Sequence, residues 1–362
     1  HQTQLSYTRP TSHLSAEGET VMSAKSFTQT AAFAQLQTLA KQAYDLSAPG
    51  ALTPERIRHF RAASCGFDLL FSTQRVTGEV MQSLQHLAEE TDAVGRFRRI
   101  MAGEVVNKIE GFESENRQAL HAASRDVFDE LPTPFESPDA EDAKQNARRE
   151  LTKLEEFLGR VESGALKNAL GEPFTDMVNV GIGGSDLGPR ALYLALQPYR
   201  QGSRRVHFIS NVDPDDATQV LRSLDLSRTL INVVSKSGST LETLTNETLC
   251  REFFTHAGLK PERHILNVTG KGSPMDNPQK YLASFYMFDY IGGRYSATSM
   301  VGGACLGFGL GYHNFLEILR GAREMDLAAT QQDLGENLPL LAALLGIWNR
   351  NFLGHQTLAV LP

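Results

Sequence analysis

Between Met177 and Val268 four short apolar runs succeed one another: Met177–Ile182, Val206–Ser210, Leu230–Val234 and Ile265–Val268. Each passes into a turn rich in Gly, Ser, Asn or Asp and then into text with helical spacing. Runs rich in Val and Ile that alternate with helices predict a parallel sheet covered on both faces, where no polar alternation is needed. Right-handed crossovers would gather the loops that follow these strands on the carboxyl edge, where α/β proteins bind ligands.

Upstream the period is different. From Phe27 to about Arg160 the text is mostly helical, with Phe33, Leu36, Leu39 and Ala40 on one face and Val80, Leu84, Leu87 and Ala88 on another. Pro54 stands where a first-turn proline belongs. Gly66–Val76 reads as one short strand, and the charged run Glu141–Leu158 as a solvated helix crossing between units. Downstream, Leu338–Phe352 is apolar and helical, and a strand-like run closes at Ala359–Pro362. His1–Thr20 is polar and aperiodic, reading as a tag or flexible extension ahead of Met22. The strand-like ending reads as a sequence that continues beyond Pro362.

Composition narrows the class. The chain has 362 residues, long enough for about two domains, and is 41% hydrophobic and 21% charged, a globular mixture. A net charge of −7 argues against a general nucleic-acid or membrane-surface binder, so an anionic substrate would need local positive potential. No window is long and apolar enough for a membrane helix. Cys65, Cys250 and Cys305 show no metal-ligand spacing and read as reduced thiols of a cytoplasmic protein. His121, His207, His256, His264, His313 and His355 fall in no metal-binding cluster; each reads as a packing or surface residue, and no metal is expected.

The chemistry gathers in the loops. Ile231–Asn246 runs from a strand through Ser235-Lys-Ser-Gly-Ser-Thr240 into a helix. Hydroxyls of Ser235, Ser237 and Thr240 could donate to a phosphate at the positive end of that helix, while Gly238 lets the backbone approach. The glycine spacing and ending of a Walker loop are missing. The same residue types also make an ordinary helix cap, and both readings stay open. The loop Gly181-Ile-Gly-Gly-Ser-Asp-Leu-Gly-Pro-Arg190 offers the glycines of a dinucleotide site. Pro189, Asp186 and the missing acid some twenty residues on fit that poorly. Its amides at Gly184 and Ser185 suit a sugar hydroxyl. Ser210-Asn-Val-Asp-Pro214 reads as a structural Asx-type turn. In Asp289–Val301, Gly292 and Gly293 expose Arg294, either to stabilise negative charge on a sugar oxygen or to bridge loops.

Four of these motifs together, Val180-Gly-Ile-Gly-Gly-Ser-Asp-Leu-Gly-Pro189, Ser210-Asn-Val-Asp-Pro214, Ser235-Lys-Ser-Gly-Ser-Thr240 and Gly292-Gly-Arg-Tyr-Ser296, resemble the glucose-6-phosphate isomerase family. Asn116-Arg-Gln-Ala-Leu-His121, Ser273-Pro-Met275 and Gly346-Ile-Trp-Asn-Arg-Asn-Phe-Leu-Gly354 extend the likeness from about Leu46 to Pro362. The phosphate loop alone would indicate only the wider sugar-isomerase superfamily. The resemblance implies an α/β protein of two parallel-sheet domains, each a three-layer αβα sandwich, the second incomplete in this sequence. It divides the chain into an extension (1–26), a helical region packing on both domains (27–160), a first domain with the phosphate loop (161–300) and the start of a second (301–362).

It further implies a cytoplasmic homodimer of glycolysis and gluconeogenesis that interconverts glucose 6-phosphate and fructose 6-phosphate through a cis-enediol. Metal and cofactor would be absent. Ser235, Lys236, Ser237 and Thr240 would hold the phosphate. Gly184, Ser185 and Gly293 would face the sugar, and Arg294 would stabilise the enediolate. The family's base is a glutamate in a Met-Glu-Ser-Asn-Gly-Lys segment, which this sequence does not contain. Its ring-opening histidine, given by the neighbouring subunit, and its late lysine have no counterpart here either. Glu242 reads as a residue of the helix start, not a substitute base.

Overall fold

The computed structural model describes residues 26–361 apart from 107, 110, 129–135 and 201. The expected extension thus lies, but for Ser26, outside the described residues. The chain opens with α1 (Ala31–Ala40), α2 (Pro54–His59), β1 (Arg61–Ser64) and β2 (Phe67–Leu70). Then come α3 (Gly78–Glu90), α4 (Ala93–Met101), α5 (His121–Arg125) and α6 (Pro138–Glu162). Strands and helices alternate next: β3 (Asp176–Val180), α7 (Gly184–Ala195), β4 (Arg205–Ile209), α8 (Pro214–Arg222), β5 (Thr229–Ser235), α9 (Leu241–His256), β6 (Ile265–Thr269) and β7 (Ser284–Tyr286). α10 (Met300–Leu310), α11 (Tyr312–Ala328) and α12 (Leu338–Ile347) follow, and α12 runs into a π-helical turn at Trp348–Phe352.

The four apolar runs are strands, joined by a fifth, short one, in the order β4-β3-β5-β6-β7 and all parallel. Every residue of β3, β5 and β6 is buried. Alternate side chains feed two cores. Met177, Leu230, Val234, Leu266 and Phe285 join residues of α6 and α10 on one face. Val178, Val180, Ile231, Val233 and Ile265 meet α8 and α9 on the other. The result is the three-layer αβα arrangement that the runs predicted. α10, with all its residues buried, lies on the sheet face even though it begins where the 161–300 unit ends.

Three local expectations are corrected. Gly66–Val76 is not a lone strand: β2 pairs with β1 through a tight turn at Cys65 (φ 51°) and Gly66 (φ 76°). Two positive φ values match the right-handed twist of a two-residue hairpin, so the partner strand precedes the glycine. The Glu141–Leu158 run is solvated on one side only. Leu151, Leu154, Phe157, Leu158 and Val161 form a stripe on α6 that packs into the main core. The Ala359–Pro362 run makes no strand over its described residues. Leu358, Val360 and Leu361 stay 89, 81 and 90% exposed, because a strand needs a neighbour to take its backbone hydrogen bonds.

A separate core unites both ends of the described chain. Leu36, Phe60, Val80, Leu84 and Leu87 pack with Leu338, Leu341, Leu345 and Trp348. Trp348 donates its indole N–H to the Arg75 carbonyl at 3.1 Å.

Candidate functional site

The winding of the sheet reverses between β3 and β5, since the chain leaves β3 for one side and β5 for the other. In a doubly wound sheet such a point opens a crevice at the carboxyl ends of the two strands. The loops that follow β3 and β5 are the ones singled out by their glycines and hydroxyls.

The loop after β5 begins at buried Ser235. Gly238 has φ +64°, and a Cβ there would lie 2.6 Å from the Ser273 hydroxyl and 3.0 Å from the Met275 nitrogen. The chain therefore turns where only glycine fits. Thr240 occupies the cap position of α9 (φ −62°, ψ 111°), yet its side chain makes no capping hydrogen bond. Its Oγ1 lies 2.9 Å from Ser235 Oγ and 3.5 Å from Ser237 Oγ. Ser239 donates its amide and hydroxyl to Ser237 Oγ at 3.2 and 3.1 Å. Three hydroxyls thus converge before the N-terminus of a sixteen-residue helix whose first amides lack a side-chain acceptor, an arrangement suited to an anion. A second ring supports them. Thr269 Oγ1 donates to the Ser235 carbonyl at 2.7 Å and lies 2.7 Å from Ser273 Oγ, and the Gly270 amide donates to the Lys236 carbonyl at 3.0 Å.

Lys236 behaves differently from its neighbours. Its ammonium donates to the carbonyls of Asp289 and Ile291 at 3.3 and 3.2 Å, so its backbone belongs to the hydroxyl loop and its head group to the segment before Gly292. Partial burial, then Arg117, push its pKa below the usual lysine value.

The loop after β3 is built from backbone. Gly183 (φ 59°, ψ −118°) caps α7, and a Cβ on Gly184 would fall 2.2 Å from the Gly293 carbonyl carbon and oxygen. The two glycine motifs therefore interlock main chain to main chain. Ser296 Oγ donates to the Gly293 carbonyl at 2.6 Å and to that of Gly184 at 3.2 Å. Asn179 Nδ2 donates to the Ser185 carbonyl at 3.2 Å. Asp186, buried in the first turn, pairs with Arg190 at 2.8 Å, and Arg190 in turn reaches Ser210 Oγ at 2.7 Å. Burial raises the Asp186 pKa against the pull of that guanidinium. Ser210–Pro214 accordingly serves structure, with Asp213 capping α8.

A cleft of about 760 Å³ opens here, lined by His121, Gly184, Gly292, Gly293, Arg294 and Tyr295 and by residues between 109 and 119. Arg294 is exposed and, among the described residues, makes no hydrogen bond or ion pair. The bridging alternative for Arg294 thus finds no partner among them. His121 was read as a packing or surface residue, but the Gly292 amide donates to its Nε2 at 2.7 Å. The signal that could have found it lay in the Asn116–His121 run. Arg117, in the same run, also lines the cleft. Among the described residues no group of three His, Cys, Asp or Glu side chains comes together to hold a metal ion, and no helix is long and apolar enough to cross a membrane.

Fold and edge loops together define an α/β protein whose glycine and hydroxyl loops gather at the carboxyl edge of a parallel sheet. Within that class, the chain belongs to the phosphoglucose isomerase family, whose model matches residues 70–362. A glucose-6-phosphate isomerase of Desulfotalea psychrophila is 50% identical over 341 residues, 93% of this chain and 62% of that protein. Another, from Protochlamydia amoebophila, is 53% identical over 329 residues, 91% of this chain and 59% of its own length. The crystal structure of a glucose-6-phosphate isomerase from Chlamydia trachomatis superposes with a TM-score of 0.85 at 41% identity, covering 91% of this chain and 62% of that one. The chain thus spans about 60% of the length of these relatives.

Proposed function

We propose that this chain carries the phosphate-binding and charge-stabilising part of an isomerase that interconverts glucose 6-phosphate and fructose 6-phosphate. The observation that carries the reading is Thr240: at a helix cap, its hydroxyl turns from capping to meet Ser235 and Ser237. A phosphate bound there gains hydroxyl donors and the free amides of α9, and each hydrogen bond to a charged group contributes about 1.5–3 kcal/mol. Lys236 supplies local positive potential from the side, since its ammonium is held on Ile291.

The sugar then extends toward the cleft, past the backbone of Gly184, Ser185 and Gly293. Moving a proton between C1 and C2 leaves an enediolate, and Arg294 is a cation at that place with no hydrogen bond or ion pair among the described residues. A guanidinium that meets charge only as it develops lowers the barrier without tightening the ground state. The reading assigns no base among these residues; the resemblance gives that role to a glutamate in a Met-Glu-Ser-Asn-Gly-Lys segment, which the sequence does not contain. The reading includes no metal or cofactor, and it carries over the cytoplasmic homodimer of the family.

Titration of this chain with fructose 6-phosphate by calorimetry, and an isomerisation assay of the complete gene product on glucose and mannose 6-phosphates, test it. Saturable binding with preferential turnover of glucose 6-phosphate is expected. Binding without turnover in the complete product would point to a phosphosugar sensor, and preference for the mannose ester would overturn the substrate assignment.

A further inference from the structure

Arg294 stands on a turn with few anchors of its own. The Tyr295 amide donates to the Gly292 carbonyl at 3.0 Å, and Ser296 Oγ holds the Gly293 carbonyl. The Gly292 amide is free to be held from outside, and the side chain that holds it comes from a remote part of the chain. We infer that His121 is a positioning residue: its unprotonated Nε2 accepts the Gly292 amide and fixes the Gly292–Arg294 turn against Gly184. The inference rests on the proposed role of Arg294.

The geometry dictates the tautomer. A nitrogen 2.7 Å from a donating amide has its lone pair engaged, so the ring proton sits on Nδ1. The anchor is itself anchored, because the preceding Leu120 amide donates to the Tyr290 carbonyl at 3.3 Å. The Tyr295 ring packs edge-on at 5.4 Å. Protonation would set two N–H groups against each other. What surrounds the ring opposes that: burial first, then Arg125 of α5, Arg117 of the preceding segment and Lys236 of the hydroxyl loop hold its pKa at about 4. Only the Gly292 contact pulls the other way. The acceptor therefore persists through the physiological range.

Two variants separate positioning from packing. His121→Gln can place a carbonyl oxygen near the Nε2 position, whereas His121→Leu fills space without an acceptor. The probe is 5-phospho-D-arabinonate, whose carboxylate mimics the enediolate, titrated into the whole chain. His121→Leu should lose about tenfold in affinity, and His121→Gln no more than about threefold, since misplacing a charge-stabilising group is costly. In an Arg294→Ala background the His121→Leu loss should shrink to about twofold or less, because residues that act through one another are not additive. Equal losses in both backgrounds, or a Gln variant as poor as the Leu variant, would overturn the inference.

A ligand-free readout keeps it separate from the proposed function. Imidazole nitrogen shifts of His121 should report a neutral Nδ1–H ring down to about pH 5. An Nε2–H ring, or protonation of His121 in the ordinary histidine range, sinks the inference whatever the probe does. Failure of the wild-type chain to bind the probe, with the Nδ1–H ring observed, overturns instead the function assigned to the cleft.

Discussion

Two helix N-termini face the same edge of this sheet and are put to different uses. α7 follows β3 and α9 follows β5, both at the point where the winding reverses, but the amides of Ser185 and Asp186 at the start of α7 already donate to the Ile182 and Gly183 carbonyls. At α7 the space is already filled. Gly184 is pressed onto the Gly293 carbonyl, and the first turn carries its own buried carboxylate, Asp186, tied to Arg190. At α9 no side chain caps the helix, and Ser235, Ser237 and Thr240 point their hydroxyls at one another. The positive end of a helix is a generic asset. Its neighbours decide whether it binds an anion or stabilises a joint between loops. Here α7 makes the joint, and α9 is where the proposed phosphate site lies.

The comparison can be broken first at Gly184. Gly184→Ala would drive a methyl into the Gly293 main chain, which cannot rotate away. We expect a loss of about 2–4 kcal/mol in denaturant unfolding, at the upper end for overpacking. A neutral result would show that the joint is loose. Thr240→Ala comes next and should separate affinity from stability. Phosphosugar binding should weaken by about 1.5–3 kcal/mol, while the unfolding midpoint barely moves. A stability loss of about 1 kcal/mol with unchanged affinity would make Thr240 an ordinary cap.

A smaller effect is expected from acid. His121 is held at about 4 in the folded chain, mainly by burial and then by Arg125, below the value near 6.5 that a histidine has when unfolded. The unfolded chain therefore takes up the proton first. The contribution is fully present above about pH 6.5 and is lost as pH falls toward about 4. Comparing the pH profiles of wild type and His121→Gln should isolate it, and identical slopes would contradict the shift. Smallest of all is the effect of Arg294→Ala on stability, within about 0.5 kcal/mol for an exposed side chain. In the complete gene product, kcat should nevertheless fall more than KM rises. Loss of folding stability would instead reveal a bridging role.

Legibility in the sequence followed the range of the interaction. The four strands could be read because a buried parallel strand leaves a continuous apolar run, whoever its neighbours are. β7 left no such mark: three residues, Ser284, Phe285 and Tyr286, with only Phe285 fully buried. The α6 stripe was there to read in Leu151, Leu154, Phe157 and Leu158, but the surrounding charges masked it. The hydroxyl loop was legible as a set of residue types. Whether it capped or converged was not, since both uses need the same composition. His121 was illegible as a cleft residue because its partner, Gly292, lies 171 positions away.

By itself the sequence determined a parallel sheet, its glycine and hydroxyl loops, and a resemblance to one family, because local periodicity and residue chemistry are short-range properties. Tertiary structure decided that Thr240 leaves its cap, that Lys236 reaches across to Ile291, that Gly184 and Gly293 interlock, and that His121 takes the Gly292 amide. The last three join segments distant along the chain through contacts of a few ångströms, which exist only once the chain has packed; the Thr240 contact spans only five residues, but residue types alone do not choose between capping and convergence.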